Sequence, residues 1–117
     1  ILTFDKGKNY EYIKSDMPPI GIVKYFTESM VKSNTMNLKD KTFVVYTDGV
    51  TEGYLKNGEE LGAEGVQNII NSIENINPKN IVLGIEKKLN WGAEKLRDDI
   101  TCMAINIENT ELIKKTK

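Results

Sequence analysis

The run Thr42-Phe43-Val44-Val45-Tyr46-Thr47, followed at once by Asp48-Gly49-Val50, decides how the rest of the chain is read. Six β-forming residues in succession have the continuity of a strand buried on both faces. Gly49 lets the backbone turn sharply away and ends it. Asp48 is thereby expected at the end of a sheet strand, gripped by rigid structure on one side and accessible on the other, as a metal ligand or catalytic acid must be. The dipeptide alone reads more readily as an ordinary Asp-Gly turn or cap.

Toward the C-terminus, Val66, Ile69, Ile70 and Ile73 recur at helical spacing within residues 64–76 and predict one apolar stripe facing a sheet. Asn77-Pro78 reads as an N-cap and first helical position, opening a second helix with Ile81, Val82, Ile85 and Leu89 on its inner face. A loop from Asn90 to Arg97 leads into a last apolar strand, Ile100 to Ile107, and residues 109–117 form a polar tail expected to fray. Asp98-Asp99 stands immediately before that strand, mirroring Asp48, which follows its own. Adjacent carboxylates repel unless a cation or hydrogen-bond donors relieve them, which suggests a hard divalent ion. A solvated loop with Arg97 as counter-charge is the plainer alternative. If the two apolar strands are neighbours, the two acidic motifs converge.

Toward the N-terminus, Ile1 to Phe4 and Tyr10 to Lys14 flank the turn-rich Asp5-Lys6-Gly7-Lys8-Asn9 and predict a β-hairpin. Met17-Pro18-Pro19-Ile20-Gly21 predicts a loop, because proline lacks a donor and restricts the residue before it. Tyr25 to Leu38 is read as an extended strand, and Tyr25, Phe26 and Trp91 as edges of the core. Strands, two helices and a strand in that order predict an α+β fold with helices packed on a mostly antiparallel sheet.

The 117 residues suit one domain, and 39% hydrophobic with 28% charged residues is the balance of a globular chain. Sixteen Lys+Arg against 17 Asp+Glu leave a net charge of −1, with basic residues scattered, which argues against nucleic-acid binding. Cys102, the single cysteine, lies in the last apolar run and is expected to be a buried reduced thiol, pointing to a cytoplasmic protein. No apolar stretch approaches the roughly 20 residues that span a bilayer, so no membrane contact is expected of this segment.

Taken in order, the apolar strand with Tyr46-Thr47-Asp48-Gly49-Val50 and Glu52, then Asn57-Gly58-Glu59-Glu60-Leu61-Gly62, the helix pair and Asp98-Asp99-Ile100-Thr101 form a pattern. Pro18-Pro19-Ile20-Gly21-Ile22 adds an upstream element similar to a Pro-Leu-Gly loop. The pattern resembles the stage II sporulation protein E-type serine phosphatases of the metal-dependent type 2C protein phosphatase superfamily, over most of the chain. The resemblance implies that residues 1–108 are the C-terminal part of such a domain, within a β-sandwich. It implies Asp48 and Asp98 as metal ligands, with Asp99 beside them, for Mn²⁺ or Mg²⁺ in a two-metal centre. That centre would activate water against phosphoserine or phosphothreonine. It further implies a phosphoprotein substrate such as an anti-anti-sigma factor.

The departures are equally specific. No acid before Asp48 stands in an Asp-Gly pair, and the chain has no histidine, so the family's bridging Asp-Gly and its Ala-Gly-His segment have no counterpart here. The chain also starts at Ile1 without an initiator Met, and the missing ligands are expected upstream. Two carboxylates and water hold Mg²⁺ weakly, so this segment alone is expected to have little activity, and a severed sheet could dimerise through its exposed strand edges. Leu38-Lys39-Asp40-Lys41 stands where the family commonly shows Gly-Asp before the strand, a difference expected to alter only the turn. A non-catalytic module retaining the fold is the alternative function. A haloacid-dehalogenase-like site is disfavoured, because Tyr46 occupies the position of the nucleophilic aspartate.

Overall fold

The computed structural model describes residues 1–15, 17–92 and 99–107. Strands β1 (Leu2–Asp5), β2 (Tyr10–Tyr12), β3 (Lys41–Tyr46) and β4 (Cys102–Asn106) form one antiparallel sheet in the order β2-β1-β3-β4. A short helix α1 (Asp48–Thr51) follows β3, and α2 (Gly62–Ser72) and α3 (Pro78–Lys88) follow in turn. This is the α+β arrangement that the sequence predicts, with the apolar stripes of α2 and α3 as the covering layer.

Leu2 and Phe4 of β1, Val44 of β3, Val66, Ile69 and Ile70 of α2, and Ile81 and Ile85 of α3 make one core with Val50, Leu61 and Leu89. Full burial of an aliphatic side chain is worth about 1.5–3 kcal/mol, so this stripe-on-sheet contact dominates the stability of the fold. Gly84 sits where the helices approach each other, since a Cβ there would lie 3.0 Å from Ile69 Cγ2. Asn77 caps α3 by accepting the Asn80 N–H at 2.9 Å, and Pro78 fills the first turn where no donor is needed.

The hairpin is fixed to α2 by the bonded hydroxyls of two tyrosines, Tyr10 half-buried and Tyr12 exposed. Tyr10 packs on Phe4 with ring centroids 5.4 Å apart, and its hydroxyl donates to Asn71 Oδ1 at 2.7 Å. Tyr12 donates to the Ala63 carbonyl at 3.1 Å and accepts from Gln67 Nε2 at 2.6 Å.

Three expectations are corrected. Residues 25–38 form no strand: Glu28–Met30 is a single 3₁₀ turn, closed by Met30 N–H to Thr27 O at 2.9 Å and Val31 N–H to Glu28 O at 3.0 Å. A strand exists only through a partner's ladder, and no described strand pairs with this segment. Secondly, Tyr25, Phe26 and Trp91 are exposed rather than core edges. Trp91 instead donates its indole N–H to the Glu86 carbonyl at 2.8 Å, beyond the end of α3. Thirdly, β3 is not buried on both faces. Thr42 and Val44 are buried, whereas Phe43 and Val45 are only half-covered, because both long helices lie on one side of the sheet.

A tight turn at residues 38–41 leads into β3. Asp40 adopts φ 57° while the Lys41 N–H closes onto the Leu38 carbonyl at 3.2 Å. Aspartate tolerates this left-handed backbone better than most residues with a Cβ. Cys102 is half-buried on the core side of β4, and burial raises its thiol pKa above the ordinary value of 9.0.

Candidate metal site at the end of strands β3 and β4

Because β3 and β4 pair antiparallel, with Tyr46 opposite Cys102, the residue that leaves β3 and the residues that enter β4 lie at the same end of the sheet. Asp48 leaves β3 as the first residue of α1, and Asp99 lies three residues ahead of β4. Both are exposed. The geometry therefore juxtaposes the two motifs that sequence reading singles out. Asp98 lies outside the described residues.

Thr47 joins the motifs. Its backbone N–H extends the ladder to the Thr101 carbonyl at 3.0 Å. Its hydroxyl donates to the Asp99 carbonyl at 3.1 Å and accepts from the Thr101 N–H at 3.1 Å. One side chain thus fixes the backbone on both sides of Ile100, so Asp99 is anchored to the residue directly before Asp48. Sequence reading treated Thr47 only as the last β-former of its run. Its position between an apolar strand and an aspartate, where a short hydroxyl can satisfy loop backbone, was the signal available.

Behind Asp48, α1 is a single tight turn. Val50 N–H bonds the Thr47 carbonyl at 3.0 Å, Glu52 N–H bonds the Asp48 carbonyl at 2.8 Å, and Thr51 Oγ1 also donates to the Asp48 carbonyl at 3.1 Å. Val50 is completely buried and acts as a peg that seats the turn in the core. Gly53 then passes so close to the end of α3 that a Cβ would meet Leu89 Cδ2 at 2.5 Å. The Asn57-to-Gly62 motif closes the same region, with Leu55 N–H on the Glu59 carbonyl at 2.7 Å and Leu61 N–H on the Gly53 carbonyl at 2.8 Å. Asn90 N–H reaches the Tyr54 carbonyl at 2.8 Å and ties this loop to the end of α3.

A family model described as Stage II sporulation protein E matches residues 1–108. The chain belongs to the stage II sporulation protein E family. Neither the curated proteins nor the solved structures gave a match. Membership of this family indicates a type 2C-like phosphatase domain, and the antiparallel sheet with its packed helices is compatible with one.

Against that family background, the donors at this sheet end are the right kind for Mg²⁺ or Mn²⁺, which prefer carboxylate, carbonyl and water oxygen. They fall short in number. Among the described residues no three Asp, Glu, His or Cys side chains gather as a metal-binding group. A cavity of about 570 Å³ lies at the opposite end of the sheet, lined by Asp5, Lys8, Asp40 and Asn106 among others, and has no bearing on the acidic motifs. Among the described residues no helix is long and apolar enough to cross a membrane.

Proposed function

We propose that this chain supplies Asp48, Asp98 and Asp99 to the Mg²⁺ or Mn²⁺ centre of a protein serine/threonine phosphatase. The observation that carries the reading is the Thr47 hydroxyl, which bonds Asp99 and Thr101 and so holds two separate acidic motifs at one sheet end. Asp48 would hold the metal from the β3 side and Asp98 from the β4 side, with Asp99 orienting that loop. A bound divalent ion supplies an activated water and neutralises charge on the transferring phosphoryl group. The chain's own part is to bring the carboxylates to one sheet end and leave them open to solvent, so that a phosphorylated side chain on a protein surface can reach them. From the family resemblance we propose phosphoserine or phosphothreonine on a regulatory protein, such as an anti-anti-sigma factor, as substrate.

A second reading is a metal-binding module without turnover. It is favoured by the absence of a third acidic ligand among the described residues. One experiment separates the two: calorimetric Mn²⁺ titration together with Mn²⁺-stimulated phosphate release from a phosphoserine peptide, for the wild type and for Asp48→Asn and Asp98→Asn. Binding and release that both fall in the two variants support the phosphatase. Binding that falls, with no release even from the wild type, supports the module. Mn²⁺ affinity unchanged by either substitution would remove the site from both readings.

A further inference from the structure

Three lysines from two separate elements gather beside the turn that carries Asp48. Lys87 and Lys88 stand in the last turn of α3, and Lys56 comes from the loop that follows α1. All three are exposed, and none has an ion-pair partner among the described residues. Two adjoining clefts of about 410 and 470 Å³ share Lys56 and Lys87, the first reaching Lys88 and Leu55 and the second Trp91 and Glu86. Cations in a last helical turn ordinarily offset the helix dipole, which accounts for Lys87 and Lys88. It does not account for Lys56, which belongs to no helix. Three lysines against Glu86 leave these clefts positive in a chain whose net charge is −1.

The core fixes where this patch lies. Asn90 N–H bonds Tyr54 O at 2.8 Å, which ties the chain leaving α3 to the loop that carries Lys56. A Cβ on Gly53 would lie 2.5 Å from Leu89 Cδ2 and 3.0 Å from the Gly49 carbonyl, so the end of α3 abuts the α1 turn that begins at Asp48. Trp91 is 50% exposed, yet its indole N–H is held by the Glu86 carbonyl at 2.8 Å. An anchored ring with an open face, bordered by ammonium groups, offers apolar contact and positive charge together.

We propose that this patch binds an acidic stretch of the protein partner, next to the phosphorylated residue that the Asp48 site receives. The inference rests on the phosphatase reading for what enters the Asp48 site, whereas the patch itself needs no metal. Complementary charge steers such a partner to the site and sets its orientation. Acidic residues flanking the phosphoserine are then the specificity that Lys56, Lys87, Lys88 and Trp91 add. A polypeptide suits the patch better than a nucleic acid does. The lysines form one small group rather than a stripe that could follow a phosphate backbone, and a single aromatic ring is no series on which successive bases stack.

Trp91 is the single tryptophan of the chain, so its emission reports on the patch directly. A short glutamate-rich peptide without phosphate, titrated into the 117-residue chain in EDTA, should change that emission, and the change should vanish at high salt. A lysine-rich peptide of the same length should leave it as it was. Lys87→Glu/Lys88→Glu should weaken binding about tenfold and Lys56→Glu about threefold. With Mn²⁺, a phosphoserine peptide with acidic flanks should show a lower KM than one with neutral flanks. Emission that ignores the acidic peptide overturns the proposal, as do charge reversals that leave its affinity unchanged, tighter binding of a single-stranded oligonucleotide, or equal KM for the two phosphopeptides. Acidic-peptide binding with no phosphate release upholds the patch and counts against turnover alone. The wild-type titrations need no variant, so they decide the matter even if the substituted chains fail to fold.

Discussion

The hydroxyl of Thr47 donates to the carbonyl of Asp99 at 3.1 Å, although 52 positions separate the two residues in sequence. The same oxygen accepts the Thr101 N–H. Neither bond involves a carboxylate, so the anchor sets the position of the acidic loop without using up the oxygens that a metal would need.

Replacing Thr47 by Val keeps its shape and removes both bonds. At about 0.5–1.5 kcal/mol per bond, the loss of two bonds in Thr47→Val should lower unfolding free energy by about 1–3 kcal/mol in urea titration. It should also weaken Mn²⁺ binding, because the two acidic motifs are no longer tied. Thr47→Ser restores the hydroxyl and should recover most of both. A Val variant with wild-type stability and wild-type Mn²⁺ affinity would show that the ladder alone positions the loop.

Gly53 is required for proximity. Its missing Cβ is the space in which Leu89 Cδ2 sits, and the carbonyls of Gly49 and Val50 lie 3.0 and 3.1 Å from the same point. Gly53→Ala must displace Leu89 or the α1 turn, and overpacking of this kind costs about 1–3 kcal/mol. Pairing it with Leu89→Ala opens room for the new methyl. The double-mutant cycle should therefore show the Gly53→Ala cost falling once Leu89 is truncated, whereas strict additivity would place the strain elsewhere.

Cys102 provides a pH signature. Burial raises its pKa in the folded chain above 9.0, since the buried site disfavours the thiolate. The unfolded chain then loses its proton at lower pH than the folded one, so this contribution to stability is complete below pH 9.0 and declines as pH rises toward the folded value. Urea midpoints of the wild type should start to fall as pH passes that value, and those of Cys102→Ala should fall less. Tyr46 and Tyr10 are also raised by burial, from 10.0, so both proteins should lose stability at still higher pH. Parallel profiles through the thiol range would show that Cys102 is fully solvated.

Much of this fold is written in local pattern. The stripe Val66, Ile69 and Ile70 specifies a helix face, Asn77-Pro78 specifies where the next helix begins, and the alternation around Gly7 specifies a hairpin. Each depends on residues a few positions apart, which the sequence displays directly. Tyr25 to Leu38 misleads because an alternating pattern, here Phe26, Glu28, Met30 and Lys32 against Thr27, Ser29 and Val31, is compatible with a strand but does not make one. The deciding term is a partner's ladder, and the segment has none among the described strands. The exposure of Phe43 and Val45 is of the same type, since it depends on which side of the sheet receives the helices.

For the candidate site, the sequence alone determined the identity of the acids and their placement at strand ends, because a β-run broken by Asp48-Gly49 and one preceded by Asp98-Asp99 are local chemical facts. The described structure adds where Asp48 and Asp99 stand relative to each other. Only the tertiary structure decided that these ends coincide, through the antiparallel β3–β4 register and the Thr47 bridge. Contacts across about fifty residues of chain are set by how α2 and α3 bury one face of the sheet. No short window of sequence contains that information, because the free energy selecting the register comes from packing the whole core.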